Sequence, residues 1–175
     1  MARIGNRLPY VEARASQRMV AQEQALSCLV ACVRQLLLDV VPPVAMSEGE
    51  LAMEIGVRGD LGSDFGTAAR VLTEHHPFLS YRAGSPDLEI LNFTRLQQGG
   101  SWIARLRLTT GGHHAVIVDG MVDNFVRVRD PWGLEALNSQ SGVEATIQVD
   151  AFLEHWRWGI HHGIFPVGSK RGIHE

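Results

Sequence analysis

The sequence predicts an α+β domain in which a helical N-terminal half packs on an antiparallel sheet. Three observations predict it. Apolar residues recur at helical spacing through the first part of the chain, up to His75-His76. Beyond Pro77 the pattern changes to short alternating or continuous apolar runs, the mark of strands. Short turn-rich connections join those runs, which favours antiparallel pairing over a strand-helix alternation. The chain has 175 residues, 45% of them hydrophobic and 20% charged, enough for one ordinary globular core.

The elements follow in order. "MARIGNRLPYVEARASQRMV" carries Arg3, Arg7, Arg14 and Arg18 without a continuous apolar run. Residues 1–20 are therefore expected to be an arm or linker, and not a Sec-type signal peptide. From Cys28, the residues Leu29, Val30, Val33, Leu36, Leu37 and Val40 line one face of a helix, which Pro42-Pro43 stops. Ser47 with Glu50 forms a capping box that opens a second helix reaching about Val57. "RGDLGSDFG" is a loop, and Asp64 to Glu74 is a third helix with Phe65, Ala68, Ala69 and Leu72 inward.

"FLSYR" starts the strand region, and Leu88 to Leu96 is expected to be helical. "SWIARLRL" alternates, "HHAVIVDG" is a buried strand, and "FVRVRD" is a half-exposed strand with Arg127 and Arg129 outward. A hairpin turn is expected at Met121 to Asn124, with Asp119 and Asp123 serving turn chemistry. "EATIQV" is a further strand, Asp150 caps a short helix carrying Phe152, Leu153 and Trp156, and "HHGIFPV" is the last strand. Trp156 and Trp158 are expected in the core or in the wall of a cleft. A single domain is expected over residues 21–168, with 169–175 as a tail.

Several function classes are disfavoured. A net charge of -3 gives no bulk attraction for nucleic acid. No apolar stretch is long enough for a membrane-spanning helix. Cys28 and Cys32 lie four apart on an apolar helix, which is no disulfide framework. They could supply two metal ligands, but no second pair follows at zinc-site spacing, so no metal is expected. His75-His76 falls in a turn and His161-His162 in a strand doublet. Lys170 is the only lysine among sixteen basic residues. Codon bias of a GC-rich genome explains that, and avoidance of lysine-directed modification in a host cell is the alternative.

The chemistry concentrates elsewhere. Cys28 heads the first helix, where the positive end of the helix dipole favours thiolate. A thiol is activated further by an imidazole that a third group orients. His114 opens a strand, and Asp130 ends the next, so the hairpin makes them cross-strand neighbours. Asp130 can then fix the tautomer of His114. His113 points to the other face of its strand and is expected to face solvent or line the cleft. Gln22, six residues before Cys28, can donate its amide to an oxyanion together with the Cys28 backbone N–H. Cys32, one turn below, is expected to be structural.

"QEQALSCLVAC", "GGHHAVIVDG" and "VRVRDPWG" together resemble the papain superfamily of cysteine peptidases over about residues 20–165. The six-residue step from Gln22 to Cys28 and the sixteen-residue step from His114 to Asp130 match that family. The resemblance implies a papain-like α+β fold, a Cys28-His114-Asp130 triad, an oxyanion hole from Gln22 and Cys28, and a Trp132 that shields the His-Asp bond. It implies no cofactor. The 86-residue step from Cys28 to His114 resembles compact bacterial branches. These are the C39-type leader peptidases, which cut after Gly-Gly, and papain-like toxin or effector peptidases. Leu29 departs from the glycine that follows the nucleophile in C39-type enzymes.

With no transporter segment in the 175 residues, the expectation is a cysteine endopeptidase of toxin or effector type that cleaves a protein target. It would be delivered by a secretion system into a target-cell cytoplasm, or else be cytoplasmic, with a cognate immunity protein as partner and no nucleic acid or membrane. The alternatives are a C39-type leader peptidase, a papain-fold acyltransferase or deamidase, and a degenerate binding module.

Overall fold

A computed structural model describes residues 8–56, 64–85, 100–133 and 140–170. Three helices come early: α1 (Cys28–Leu38), α2 (Glu48–Ile55) and α3 (Phe65–His75). A fourth, α4 (Val149–Trp158), precedes the last strand. The strands are β1 (Tyr10–Ala15), β2 (Leu79–Gly84), β3 (Trp102–Arg107), β4 (His113–Val122), β5 (Phe125–Asp130), β6 (Val143–Gln148) and β7 (Gly163–Ser169). They form one antiparallel sheet in the order β1-β6-β5-β4-β3-β7-β2. The expected α+β class is the observed one. The stretch 88–96, the segment 57–63 and the tail 171–175 lie outside the described residues. No helix of the described residues is long and apolar enough to cross a membrane.

The period-two pattern of the strands divides the sheet between two cores. On one face Ile103, Ala115, Ile117 and Ile164 pack against Leu29, Val33 and Leu36 of α1 and Ala68 and Leu72 of α3. On the other face Trp102, Leu106, Val116 and Val118 pack with Phe152 and Trp156 of α4. Trp102, Trp156 and Phe165 interlock there, with ring centroids 5.0 Å apart between Trp102 and each partner. Trp156 is fully buried, whereas Trp158 is exposed. The capping box of α2 forms as expected: Glu50 N–H bonds Ser47 Oγ at 3.0 Å, and Ser47 N–H bonds the Glu50 carboxylate at 2.8 Å. Asp64 caps α3 through the N–H of Thr67 at 3.0 Å. The last helix starts one residue before Asp150, which stands in its first turn.

Three expectations are corrected. Residues 8–20 are no free arm. Leu8 is fully buried, β1 pairs with β6 along the sheet edge, and the Val20 N–H bonds the buried Gln35 of α1 at 2.8 Å. Arg129 does not face solvent: it is 1% exposed. Its guanidinium bonds Asp119 at 2.7 and 2.9 Å, Asp39 at 2.8 Å and the Arg18 carbonyl at 2.9 Å. A buried cation is tolerated only with such partners. Asp119 is accordingly not a turn residue. It stands inside β4, bonded to Arg129 and to Ser101 Oγ at 2.6 Å. Asp123 does make the turn, at a φ of 53°.

Asp119 also sets the register. From the turn, Val122 pairs with Phe125, Met121 with Val126 and Gly120 with Arg127. Val118 then pairs with Val128, so Asp119 is an extra residue on β4, a β-bulge. An unbroken ladder would set Asp130 opposite Ile117, on the face of Ala115. The bulge slips the register by one and sets Asp130 on the face of Val116 and His114. Gly120 supplies the backbone turn at a φ of 120°, which side-chain-bearing residues rarely adopt.

Gly120→Ala should therefore strain the bulge. The expected loss is about 1–3 kcal/mol of stability in a denaturant titration. An unchanged midpoint would show that the bulge does not need glycine.

Candidate active site

The site is built where α1 begins against β4 and β5. Ser27 precedes Cys28, and no side chain caps the first turn of α1. Its leading N–H groups therefore lack intrahelical partners. Ser27 Oγ instead bonds the backbone of Gln24 at 3.0 Å. The loop is clamped from the other side by Glu48 of α2, whose two oxygens accept from the Glu23 N–H at 3.1 and 3.0 Å. Burial pushes the Glu48 carboxyl up, while the Ser27 hydroxyl and Glu23 N–H pull it down; the net is raised. Glu48 holds the loop that carries Cys28, a contact the sequence did not reveal. The neighbouring capping box of Ser47 and Glu50 drew the reading of that segment.

Cys28 is half-buried and hydrogen-bonds His114, which is 6% exposed. His114 Nε2 bonds Asp130 Oδ1 at 2.6 Å. With Nε2 committed, the ring nitrogen left for the thiol is Nδ1. Asp130 is 5% exposed, and both of its oxygens accept hydrogen bonds. Oδ1 also takes the Trp132 N–H at 2.8 Å, and Oδ2 takes the Tyr10 hydroxyl. The contact of Trp132 with Asp130 is thus made by its backbone N–H. Tyr10 is the second missed residue. It arrives from the segment expected to be an arm, and a tyrosine at the start of a charged edge strand carries no signal of its own.

The electrostatics follow from these contacts. Burial pushes the Cys28 thiol up, but the hydrogen bond and charge of His114 and the Ala115 N–H pull harder, and the net is lowered. Burial pushes His114 down, but the Asp130 carboxylate and the thiolate hold its proton, raising it to about 10. Burial pushes Asp130 up, and His114, Tyr10 and Trp132 more than offset that. These contacts favour the thiolate-imidazolium form of the pair over the neutral one. Cys32 is different: burial, together with the charges of Cys28 and Asp130, raises its thiol well above the ordinary range. It bonds the Ala115 carbonyl at 3.5 Å and behaves as core.

Gln22 sits on the adjoining loop, 2% exposed, its N–H bonded to the Pro131 carbonyl at 2.8 Å. Its amide does not point as an oxyanion donor would. Nε2 donates to the carbonyls of Gln24 at 2.8 Å and Ala25 at 3.2 Å, and Oε1 is buried without a partner. Leu29 is 2% exposed and packs in the core, away from the cleft. His113 is exposed, on the opposite side of β4 from His114, and accepts from Arg105 at 3.1 Å. Among the described residues, no group of three His, Cys, Asp or Glu side chains is placed to hold a metal ion.

No family model matches the chain, and no curated protein matches it. Solved structures do. The peptidase domain of Streptococcus ComA, a bifunctional ABC transporter of a quorum-sensing pathway, aligns with a TM-score of 0.62 at 16% identity, covering 86% of this chain and 97% of that one. A double-glycine-motif protease from an AMS/PCAT transporter, solved with its leader peptide, aligns at 0.60 and 14% identity, covering 93% and 97%. A C39-like protein from Bacillus anthracis aligns at 0.61 and 15% identity, covering 91% and 100%. The fold is therefore that of C39-type, papain-like peptidase domains.

The ion pair has a measurable signature. Cys28 should react with iodoacetamide at a rate that inflects with pH below the ordinary thiol value, because the thiolate exists there. In His114→Ala, only the Ala115 N–H is left to oppose burial, and the inflection should move up toward or beyond that value. An unmoved inflection would show that His114 does not hold the thiolate.

Proposed function

We propose that the chain is a cysteine endopeptidase that hydrolyses peptide bonds through Cys28, His114 and Asp130. The observation that carries this reading is the relay itself: a half-buried thiol at an uncapped helix start, bonded to a histidine whose other nitrogen is held by a buried carboxylate. The Cys28 thiolate attacks the substrate carbonyl and forms an acyl-enzyme. His114, held protonated, delivers its proton to the leaving amine and then takes one from the deacylating water. Asp130 keeps the ring aimed and stabilises its charge. The Cys28 N–H faces the developing oxyanion, and Gln22 joins it if its amide turns from the Gln24 and Ala25 carbonyls.

The substrate favoured is a peptide of the double-glycine leader kind. The support is the fold shared with the ComA peptidase domain and with the protease solved with its leader peptide. Leu29 does not weigh against it, because that side chain is spent in the core rather than in the cleft. The toxin or effector reading, with its delivery into a target cell and its immunity protein, shares the same triad but draws on no feature of the site. Acyl transfer or deamidation would also use this triad, since fold does not settle reaction.

Purified protein should cut synthetic peptides after Gly-Gly, read as new termini by mass spectrometry, and Cys28→Ala should cut none. Mass gain at glutamine without new termini would move the assignment to deamidation. Absence of both, with Cys28 still reacting with iodoacetamide as a thiolate, would sink the peptidase reading. Tyr10→Phe should lower kcat about 10-fold with KM retained, since one donor to the Asp130 anion is lost. With kcat counted per Cys28 thiol that reacts with iodoacetamide, an unchanged kcat would mean that Tyr10 serves folding alone.

A further inference from the structure

The sheet rim beside the nucleophile carries positive charge that the triad does not use. Arg105 of β3 is the register partner of Ala115, the residue whose N–H bonds the Cys28 sulfur. Register partners share a face of the sheet, and neighbouring strands lie about 4.8 Å apart. Arg105 therefore stands one strand from the residue that touches the nucleophile, on the side where α1 and α3 begin. Arg107 pairs with His113 one step further out on the same face. On the other side of β3, the Arg105 N–H bonds the His162 carbonyl at 2.9 Å. The His162 ring lies against Phe65 of α3 at 5.1 Å and bonds Ser85 Oγ at 3.1 Å.

Arg105 is half-buried and held in place. One nitrogen of its guanidinium bonds His113 Nδ1 at 3.1 Å, and His113 is bonded in turn to the Trp158 backbone. Burial, Arg105 and Arg107 lower His113; burial and Arg105 lower His162, against a raising effect of Asp64. Both rings are therefore neutral at pH 7, and the fixed cations of the rim are the two arginines. No carboxylate of the described residues forms an ion pair with Arg105 or Arg107. Arg129, on the same sheet, shows the contrast: its charge is matched by Asp39 and Asp119. A guanidinium held rigid with donors to spare suits bidentate recognition of a carboxylate.

We propose that Arg105, backed by His113 and flanked by Arg107 and His162, forms a subsite for an acidic side chain of the peptide substrate close to the scissile bond. This rests on the peptidase reading and names the substrate chemistry of that site. The subsite acts on substrate binding, so its mark is in KM and in the choice of sequence.

Two measurements test it. Peptides with Glu, Gln or Lys placed in turn at each position flanking the cleaved bond should show, at one position, a kcat/KM about five- to ten-fold higher for Glu than for Lys. Arg105→Glu should reverse that order, and Arg105→Gln should level it. No preference for Glu, or a preference untouched by Arg105→Glu, overturns the proposal. The second measurement needs no cleavage: the ratio of Cys28 alkylation rates with anionic iodoacetate and neutral iodoacetamide. It should fall several-fold in Arg105→Gln and further in Arg105→Glu. An unchanged ratio overturns the proposal even if no peptide is cut, whereas a falling ratio without any cleavage counts against the peptidase reading alone.

Discussion

A buried carboxylate organises this fold. Asp130 is 5% exposed, and an ionised carboxylate removed from water is stable only when donors and a cation replace its hydration. Those donors come from three separate places: the Tyr10 hydroxyl on the edge strand β1, the His114 ring on β4, and the N–H of Trp132 just past β5. To bring them together, β1 must be docked on β6, and β4 must carry the bulge that turns Asp130 to the side of His114. Gly142 belongs to the same constraint. A Cβ there would lie 2.4 Å from the Asp130 carbonyl, so only glycine lets the strand entering β6 pass so close.

What the sequence shows of this arrangement divides along physical lines. Cys28, His114 and Asp130 are legible because their chemistry is rare and their spacing is set by two rigid devices, a helix start and a hairpin. The three early helices are legible from periodicity, and the cores they cover follow. The edge strand β1 is not legible. Its exposed residues Val11, Glu12, Arg14 and Ala15 leave almost no alternation, and the bond of the Tyr10 hydroxyl to Asp130 joins residues far apart in the chain. Arg129 is misplaced because a buried, fully paired arginine and a solvated one look the same in a period-two pattern. The bulge had a faint signal, the Asp119-Gly120 pair. That pair fits a turn equally well, and only the register separates the two. Glu48 and the orientation of Gln22 depend on loop contacts across the fold, which no local pattern encodes.

The sheet handles its arginines in two ways, and the difference tracks burial. Arg129 is removed from water, so its charge must be met by Asp39 and Asp119, and in being met it ties the end of α1 to the β4 bulge. Arg105 and Arg107 lie at the rim, where water screens them and no such partner is required for stability. Charge left unmatched near a nucleophile is inexpensive for the fold and consequential for whatever approaches. Among the described residues, the same sheet thus buries one guanidinium with its counter-ions and leaves others at the rim without an ion pair.

Cys28 and Cys32 form an internal comparison that isolates the cause of thiol activation. They share one helix, lie one turn apart, and each is pushed up by burial. Both touch the same residue, Ala115: Cys28 through its N–H and Cys32 through its carbonyl. The helix dipole cannot explain the contrast alone, since its effect is modest and Cys32 is only a turn further in. The decisive difference is His114, an imidazolium held by Asp130, which reaches Cys28 as a hydrogen-bond donor. The lowering of the Cys28 thiol is therefore a property of the His-Asp pair delivered by the hairpin, and the helix start contributes its partial exposure. A chain that kept α1 intact but lost the bulge would lose the His114 contact, leaving burial as the largest effect on both thiols.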